Sequence, residues 1–378
     1  MVKDTFEHGI EQEFQVVDPW TGELKGGVEE ILRGLPKDWL GIDRAAGIEG
    51  DHYPTQLEHK TGICVSIDDI REGLIVNRTE MIKYARKCDY ALIATGVNPF
   101  STTDYPGESF GEHHHVGGNE TSILAVRRHN LIREFIPELH AFTVNSPIYG
   151  KKKTDYMSYR AHRSPHIHPG SRVKFSSHRS VSNIEDAKRI YGSNPRYWDV
   201  TPYAFIKRGY PTVEVRLFDT QTSIDMSVAI TAILEALALK AKKMNEQDRT
   251  PPKIDENILC YNRNQAIKHG MSAEFKVDKN VKYLKEGECF AYHSKEIDSK
   301  SSIITATQAV KELIVYIENE LDEIGADSKI LSPVNKAIEK KQTPASHQLD
   351  IFNLRGIESL STELMNETID GQSIKRGG

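Results

Sequence analysis

The chain has little cysteine and no arrangement that would use it. Its 378 residues hold four: Cys64, Cys88, Cys260 and Cys289. None forms a CxxC pair and the spacings are wide, which excludes a disulfide framework and a zinc ribbon and leaves reduced, mostly buried thiols. No run of about 18 apolar residues is present, so no transmembrane helix is expected. The opening stretch, MVKDTFEHGIEQEF, lacks the apolar core of a signal peptide, and the cytoplasm is the expected compartment. There is no excess of positive charge either. The formal net charge is -5, which argues against nucleic acid and against an anionic membrane surface as partners. Neither GxGxxG nor GxxxxGK[ST] occurs, so no Rossmann or P-loop nucleotide site is signalled. Repeats, low-complexity tracts and any Ser/His/Asp or Cys/His nucleophile arrangement are also missing. What remains is an ordinary soluble composition, 38% hydrophobic and 27% charged, in a chain long enough for a sizeable core.

The first half alternates strand and helix patterns. Strands are expected over Glu7–Asp18, Thr55–Gly62, Tyr90–Val97, Glu112–Gly117 and Pro211–Asp219. Ser66-Ile-Asp-Asp69 has the form of a capping box that opens a helix to about Lys87. A second long helix is expected over Asn119–Phe142, and Ser223 is placed to cap a third that runs through Leu239. After the proline-bearing break at Arg249–Lys253, helices are expected over Leu259–Gly270, Ile304–Ile324, Pro333–Lys341 and Ser359–Ile369. Strands early and helices late point to an α+β fold with a largely antiparallel sheet. The reading is a single catalytic domain over residues 1–378, strand-rich to 220 and helix-rich beyond.

Two strand candidates carry chemistry. In a strand, residues two apart share a face. Glu11 and Glu13 therefore project together, as do Glu214 and Arg216, while Val213, Val215 and Leu217 turn toward a core. Carboxylate oxygens suit a hard divalent cation, and a guanidinium matches phosphate geometry. The plainer alternatives are a solvated amphipathic strand for the glutamates and a structural ion pair for Glu214 and Arg216. Glu58 and Asp51, seven residues before it, add further carboxylates that say little alone. His113 and His115 share a face as metal ligands or phosphate contacts would; a surface histidine cluster is the alternative. The stretch from His162 to His168 reads as a solvated loop, and Arg160 reads equally as a surface charge.

Taken in order along the chain, these motifs resemble the type-2 glutamate–cysteine ligase family, the carboxylate–amine ligases. The resemblance begins at Gly9-Ile-Glu11-Gln-Glu13-Phe14 and Asp18-Pro-Trp-Thr-Gly-Glu-Leu24, and continues through Gln56-Leu-Glu58-His-Lys-Thr-Gly-Ile-Cys64. It returns at His113-His-His115-Val-Gly117, Asn145-Ser-Pro147, Ser158-Tyr-Arg160 and Trp198-Asp-Val-Thr-Pro202. Thr212-Val-Glu214-Val-Arg216-Leu-Phe-Asp219 is the fullest match, and Asn262-Arg-Asn-Gln-Ala266 and Ser346-His-Gln-Leu349 carry it almost to the end. It implies a glutamine-synthetase-like fold: a curved, mostly antiparallel sheet with helices packed outside. It also implies an ATP-dependent ligase using two or three Mg2+ ions, with Mn2+ as a substitute.

On this resemblance Glu11, Glu13, Glu58 and Glu214 are metal carboxylates, joined by Asp51 if its shorter side chain reaches. His113 shares the metal and phosphate region, with His115 beside it on the nucleotide side. Arg216 faces the transferring phosphoryl group, and Arg160 contacts substrate or phosphate. The implied reaction joins L-glutamate to L-cysteine through a γ-glutamyl phosphate, as in glutathione biosynthesis. The chain departs from the family at three places: Asp51 stands for a usual glutamate, Gln12 for a frequent one, and the His- and Arg-rich segment 161–177 for a different sequence. The last leaves the acceptor open between cysteine and another amine. A metal-dependent hydrolase using the His-x-His strand, with zinc, and an inactive binding protein of the same fold are the readings from other classes. The resemblance suggests a homo-oligomer, although no interface is marked in the sequence.

Overall fold

The computed structural model describes residues 7–41, 46–101, 109–117, 121–167, 180–191, 199–202, 212–251, 253–277 and 303–370. Its first half runs β1 (His8–Val17), α1 (Val28–Gly34), β2 (Ala46–Gly50), β3 (Gln56–Thr61), α2 (Ile67–Lys87), β4 (Ala91–Ile93), β5 (Gly111–Val116), α3 (Ser122–Glu134) and α4 (Ile136–Thr143). A small hairpin, β6 (Ile148–Tyr149) and β7 (Lys152–Lys153), leads to α5 (Tyr159–Ile167) and α6 (Ile184–Tyr191), then β8 (Val200–Thr201) and β9 (Val213–Asp219). The remainder is α7 (Ile224–Glu246), α8 (Glu256–His269), β10 (Glu274–Lys276), β11 (Ile303–Thr305), α9 (Ala306–Tyr316), α10 (Glu318–Glu323), α11 (Ser332–Lys340) and α12 (Pro344–Asp370).

The main sheet has the order β2-β3-β1-β5-β9-β8, with β4 also paired to β1. Its pairings are antiparallel. This is the expected α+β fold. The sheet separates its side chains by parity. Ile10, Val116, Val213 and Val215 face the helices and join the largest apolar cluster, in which α7 supplies an almost unbroken buried surface from Ile224 to Leu239. A helix apolar all round belongs in an interior, and α7 packs against α2 and α3 as well as the sheet.

Several local expectations hold and several need correction. The Ser66 hydroxyl accepts from the Asp69 N–H, and the Asp69 carboxylate accepts from the Val65 N–H, so α2 opens as read. Ser223 precedes α7 but its hydroxyl makes no capping bond. The expected Asn119–Phe142 helix is divided at Phe135: Pro137 lacks an N–H and its ring clashes with the carbonyl four residues back, so the chain restarts as α4. Ile303–Thr305 is not helical, because it pairs with Glu274–Lys276. The Tyr90–Val97 strand is shortened to Ala91–Ile93. The His162 stretch, read as loop, is helical in α5 as far as Ile167. Cys64 is buried and, like Cys88 and Cys260, has a free thiol; Cys289 and Trp198 lie outside the described residues.

Candidate active site

Register decides which side chains meet. Glu11 stands opposite Lys60 on β3 and His113 on β5, Glu13 opposite Glu58, and Glu58 opposite Glu49 on β2. On the other side His115 stands opposite Glu214. Directly paired residues share a face, so one side of β2, β3, β1, β5 and β9 carries a continuous charged field. Glu11, Glu13, Glu58, His113, His115, Glu214 and Arg216, expected from separate strands, are brought together here. Glu49 and Lys60 complete it and were missed from sequence, although Lys60 obeys the same two-residue rule from Glu58.

Two groups within this field have the geometry of cation sites. Glu13, Asp51 and Glu58 bring one carboxylate oxygen each within 4.8 Å of one another. Glu11 and Glu214, each with a carboxylate oxygen, and His115, with a ring nitrogen, lie equally close together. Asp51 follows β2, where its backbone N–H donates to the Gln56 carbonyl across the hairpin; this places even its short side chain beside Glu13 and Glu58. His113 lies between the groups, with Nδ1 3.5 Å from Glu11 and Nε2 3.8 Å from Glu13.

The electrostatics show why the acids need a partner. Burial, then the charges of Glu11, Glu13 and Asp51, push the Glu58 carboxyl well above the usual range, against an opposing pull from Lys60. Lys60 is itself bonded to Glu49. For Glu11, burial works upward, but His115 and His113 outweigh it and hold the carboxyl well below its usual range. Burial would lower His115, yet Glu11 and Glu214 raise it. Carboxylates crowded at these distances cannot all ionise without added positive charge. A divalent cation supplies that charge, and a donor set dominated by oxygen fits Mg2+ or Mn2+ better than zinc.

Arg216 and Arg160 border the field. The pairing of β5 with β9 shifts between Glu112 and His114: Glu112 meets Phe218 while His114 meets Val215. One extra residue therefore sits on β9 at Arg216–Leu217, a bulge of the kind that re-aims side chains near functional sites. Arg216 bonds Glu214, as the plainer alternative had it, and also stands in the field of Glu13 and Glu11. These acids overcome burial and raise its already high pKa. The Arg160 guanidinium turns to the bulge, with Nη2 3.3 Å from the Arg216 carbonyl and Nη1 3.5 Å from that of Leu217. Its Nε is buried and has no hydrogen bond among the described residues. Gly111 makes this approach feasible. A Cβ there would lie 2.2 Å from Arg160 Nη2 and 2.7 Å from His113 Nε2, while its N–H donates to Glu13 Oε2 at 2.6 Å.

The sequence model described as glutamate-cysteine ligase family 2 matches residues 109–316, more than half of the chain. The chain belongs to glutamate-cysteine ligase family 2. It is 24% identical over 388 residues to a protein of Solibacter usitatus named "Putative glutamate--cysteine ligase 2", covering 94% of this chain and 91% of that one. A protein of the same name from Sorangium cellulosum is 28% identical over 299 residues, covering 71% and 76%. Among solved structures, glutamate–cysteine ligase from Francisella tularensis in complex with AMP matches with a TM-score of 0.63 at 15% identity, over 98% of this chain and 90% of that one. The ligase of the prokaryotic ubiquitin-like protein Pup matches with a TM-score of 0.52 at 12% identity, over 92% and 68%. These likenesses establish the glutamine-synthetase-like fold. Family membership and fold together support a carboxylate–amine ligase. Among the described residues no helix is long and apolar enough to cross a membrane.

Proposed function

We propose that this chain is an ATP- and Mg2+-dependent ligase that joins L-glutamate to the amine of L-cysteine through a γ-glutamyl phosphate. The observation that carries the reading is the pair of acidic groups, Glu13/Asp51/Glu58 and Glu11/His115/Glu214, on one sheet face beside Arg216 and Arg160. The five carboxylates with His115, and with His113 between the groups, would hold the divalent cations. When bound, the cations supply positive charge to the β- and γ-phosphate oxygens of ATP. Arg216 adds fixed positive charge where the transferring phosphoryl group spreads its own. Arg160, whose side chain makes two long carbonyl contacts among the described residues, would have donors to offer to a phosphate or a substrate carboxylate. Attack by the acceptor amine on the acyl phosphate then forms the amide and releases phosphate. Exclusion of water protects the acyl phosphate meanwhile. Such a reaction asks for positioning and charge rather than a protein nucleophile.

The test is ADP release from purified protein with ATP, Mg2+ and L-glutamate, with and without L-cysteine. Cysteine-dependent release with γ-glutamylcysteine identified by mass is the expected result. Release that cysteine does not stimulate would move the acceptor to another amine. No release in any condition would overturn the ligase reading.

A further inference from the structure

Behind the charged face lies a second polar layer, fully buried between sheet and helices. Its centre is Gln12, between Glu11 and Glu13 in sequence and directly opposite both His59 and Glu112 in the sheet. Gln12 Nε2 donates to Glu112 Oε2 at 2.6 Å and to Ser227 Oγ at 2.9 Å. Gln12 Oε1 accepts from Arg78 Nε at 3.1 Å and Nη2 at 3.0 Å, and the His59 Nε2 lies 3.0 Å away. The Ser227 hydroxyl donates to the same Glu112 oxygen at 2.9 Å. Arg78 also donates to the carbonyls of Gln221 and Thr222, both at 2.7 Å, immediately beyond β9. Each of Gln12, His59, Arg78, Glu112 and Ser227 is fully buried.

We propose that Gln12 is a positioning residue for the cation site: its amide sets the register of the three strands that carry most of the ligands. His59 lies between Glu58 and Lys60, and Glu112 next to His113, so fixing these back-facing residues fixes the front-facing ones. The amide presents donors toward the β5 side and an acceptor toward β3 and α2. Only the observed register satisfies both, because a slip would leave the Glu112 carboxylate and the Arg78 guanidinium buried without the partner between them. The inference rests on the cation reading of the front face.

Mn2+ is the probe, with binding followed by loss of the free-ion electron paramagnetic resonance signal during titration of the full chain. Gln12→Met keeps the length of the side chain and removes its donors and acceptor. It is expected to weaken Mn2+ binding tenfold or more while the far-ultraviolet circular dichroism is retained. Asn262→Leu is the matched control. It removes two partly buried hydrogen bonds between Asn262 in α8 and the Lys276 backbone in β10, away from these strands, and should leave Mn2+ affinity unchanged. If Gln12→Met does not fold, Ser227→Ala, which deletes one hydroxyl from the same node, should weaken binding several-fold. Gln12→Met or Ser227→Ala within twofold of wild type, or equal weakening in Asn262→Leu, would overturn the inference. Failure of the wild-type chain to bind Mn2+ would overturn the cation reading and this inference with it.

Discussion

Glu235 gives a sharp test of the electrostatics, because it lies in the apolar body of α7 rather than in the proposed site. It is 5% exposed, and its carboxyl stands 3.8 Å from the Nδ1 of buried His8. Burial pushes its pKa up from 4.5 to about 7. Below pH 4.5 the carboxyl is neutral both folded and unfolded, and burial costs little. Between pH 4.5 and about 7 the unfolded chain has released a proton that the folded chain keeps, so stability falls as pH rises through this window. Above 7 both states are ionised and the cost levels off. A rise from 4.5 to about 7 corresponds to about 3 kcal/mol at 1.36 kcal/mol per pH unit. Glu235→Gln is neutral at every pH. It should match wild type near pH 4.5 and exceed it by up to about 3 kcal/mol at pH 8. Burial depresses His8 in both proteins, so its acid-side contribution cancels in the difference. Urea melts at several pH values between 4.5 and 8, read as midpoint shift multiplied by slope, measure this directly. A difference that stays flat with pH, or a wild type more stable at pH 8, would refute the reasoning and mean that the Glu235 charge is compensated.

Gly111→Ala should lower kcat/KM by about 100-fold, since its Cβ would displace Arg160 from the bulge and His113 from its place between Glu11 and Glu13. The accompanying loss of stability, about 1–3 kcal/mol, is checked by a thermal melt. Glu58→Gln removes a carboxyl whose proton is held by burial and by Glu11, Glu13 and Asp51. It should raise the melting temperature in EDTA while abolishing Mg2+-dependent ADP release; a lower melting temperature would mean that Glu58 is stabilised by contacts rather than opposed by its neighbours. Ser66→Ala loses the cap on the Asp69 N–H and should cost about 1 kcal/mol by chemical denaturation, with turnover unchanged.

The sheet was legible because alternation is a local signal. Glu11/Glu13, His113/His115 and Glu214/Arg216 each declare a shared face from spacing alone, and β1, β5 and β9 lie where that spacing puts them. Long-range pairing was not legible. Nothing in the spacing says that Glu13 stands opposite Glu58, or that Glu49 joins from β2. Periodicity also ran through punctuation that tertiary structure obeys. Pro137 ends one helix and opens another, and Ile303–Thr305 becomes a strand because Glu274–Lys276 offers a partner. The first part of α12 was missed. Gly356, with φ 79°, interrupts the segment, so that only the part beyond it stood out as a helix. The bulge at Arg216–Leu217 was hidden for the same reason as the pairing: it exists only relative to β5.

The layer behind the charged face also bears on what this fold requires of its sequence. If stability alone mattered, apolar side chains at positions 12, 59, 78 and 112 would serve better. A buried guanidinium and carboxylate pay heavily for desolvation and return little net stability. Burial indeed pulls the Arg78 pKa down to about 10, only partly offset by Glu112. An apolar layer, however, would pack almost equally well after a two-residue slip of β1 against β5, and such a slip would carry Glu11 and Glu13 away from His113 and His115. The polar layer makes a slipped register costly, since the buried Glu112 carboxylate and Arg78 guanidinium would each lose the hydrogen bonds that Gln12 gives them. In strands whose two faces alternate residue by residue, the catalytic pattern and the pattern that aligns it must be written into the same few positions. On the proposed reading, the motif Glu11-Gln12-Glu13 would carry a ligand, a register key and a ligand in succession.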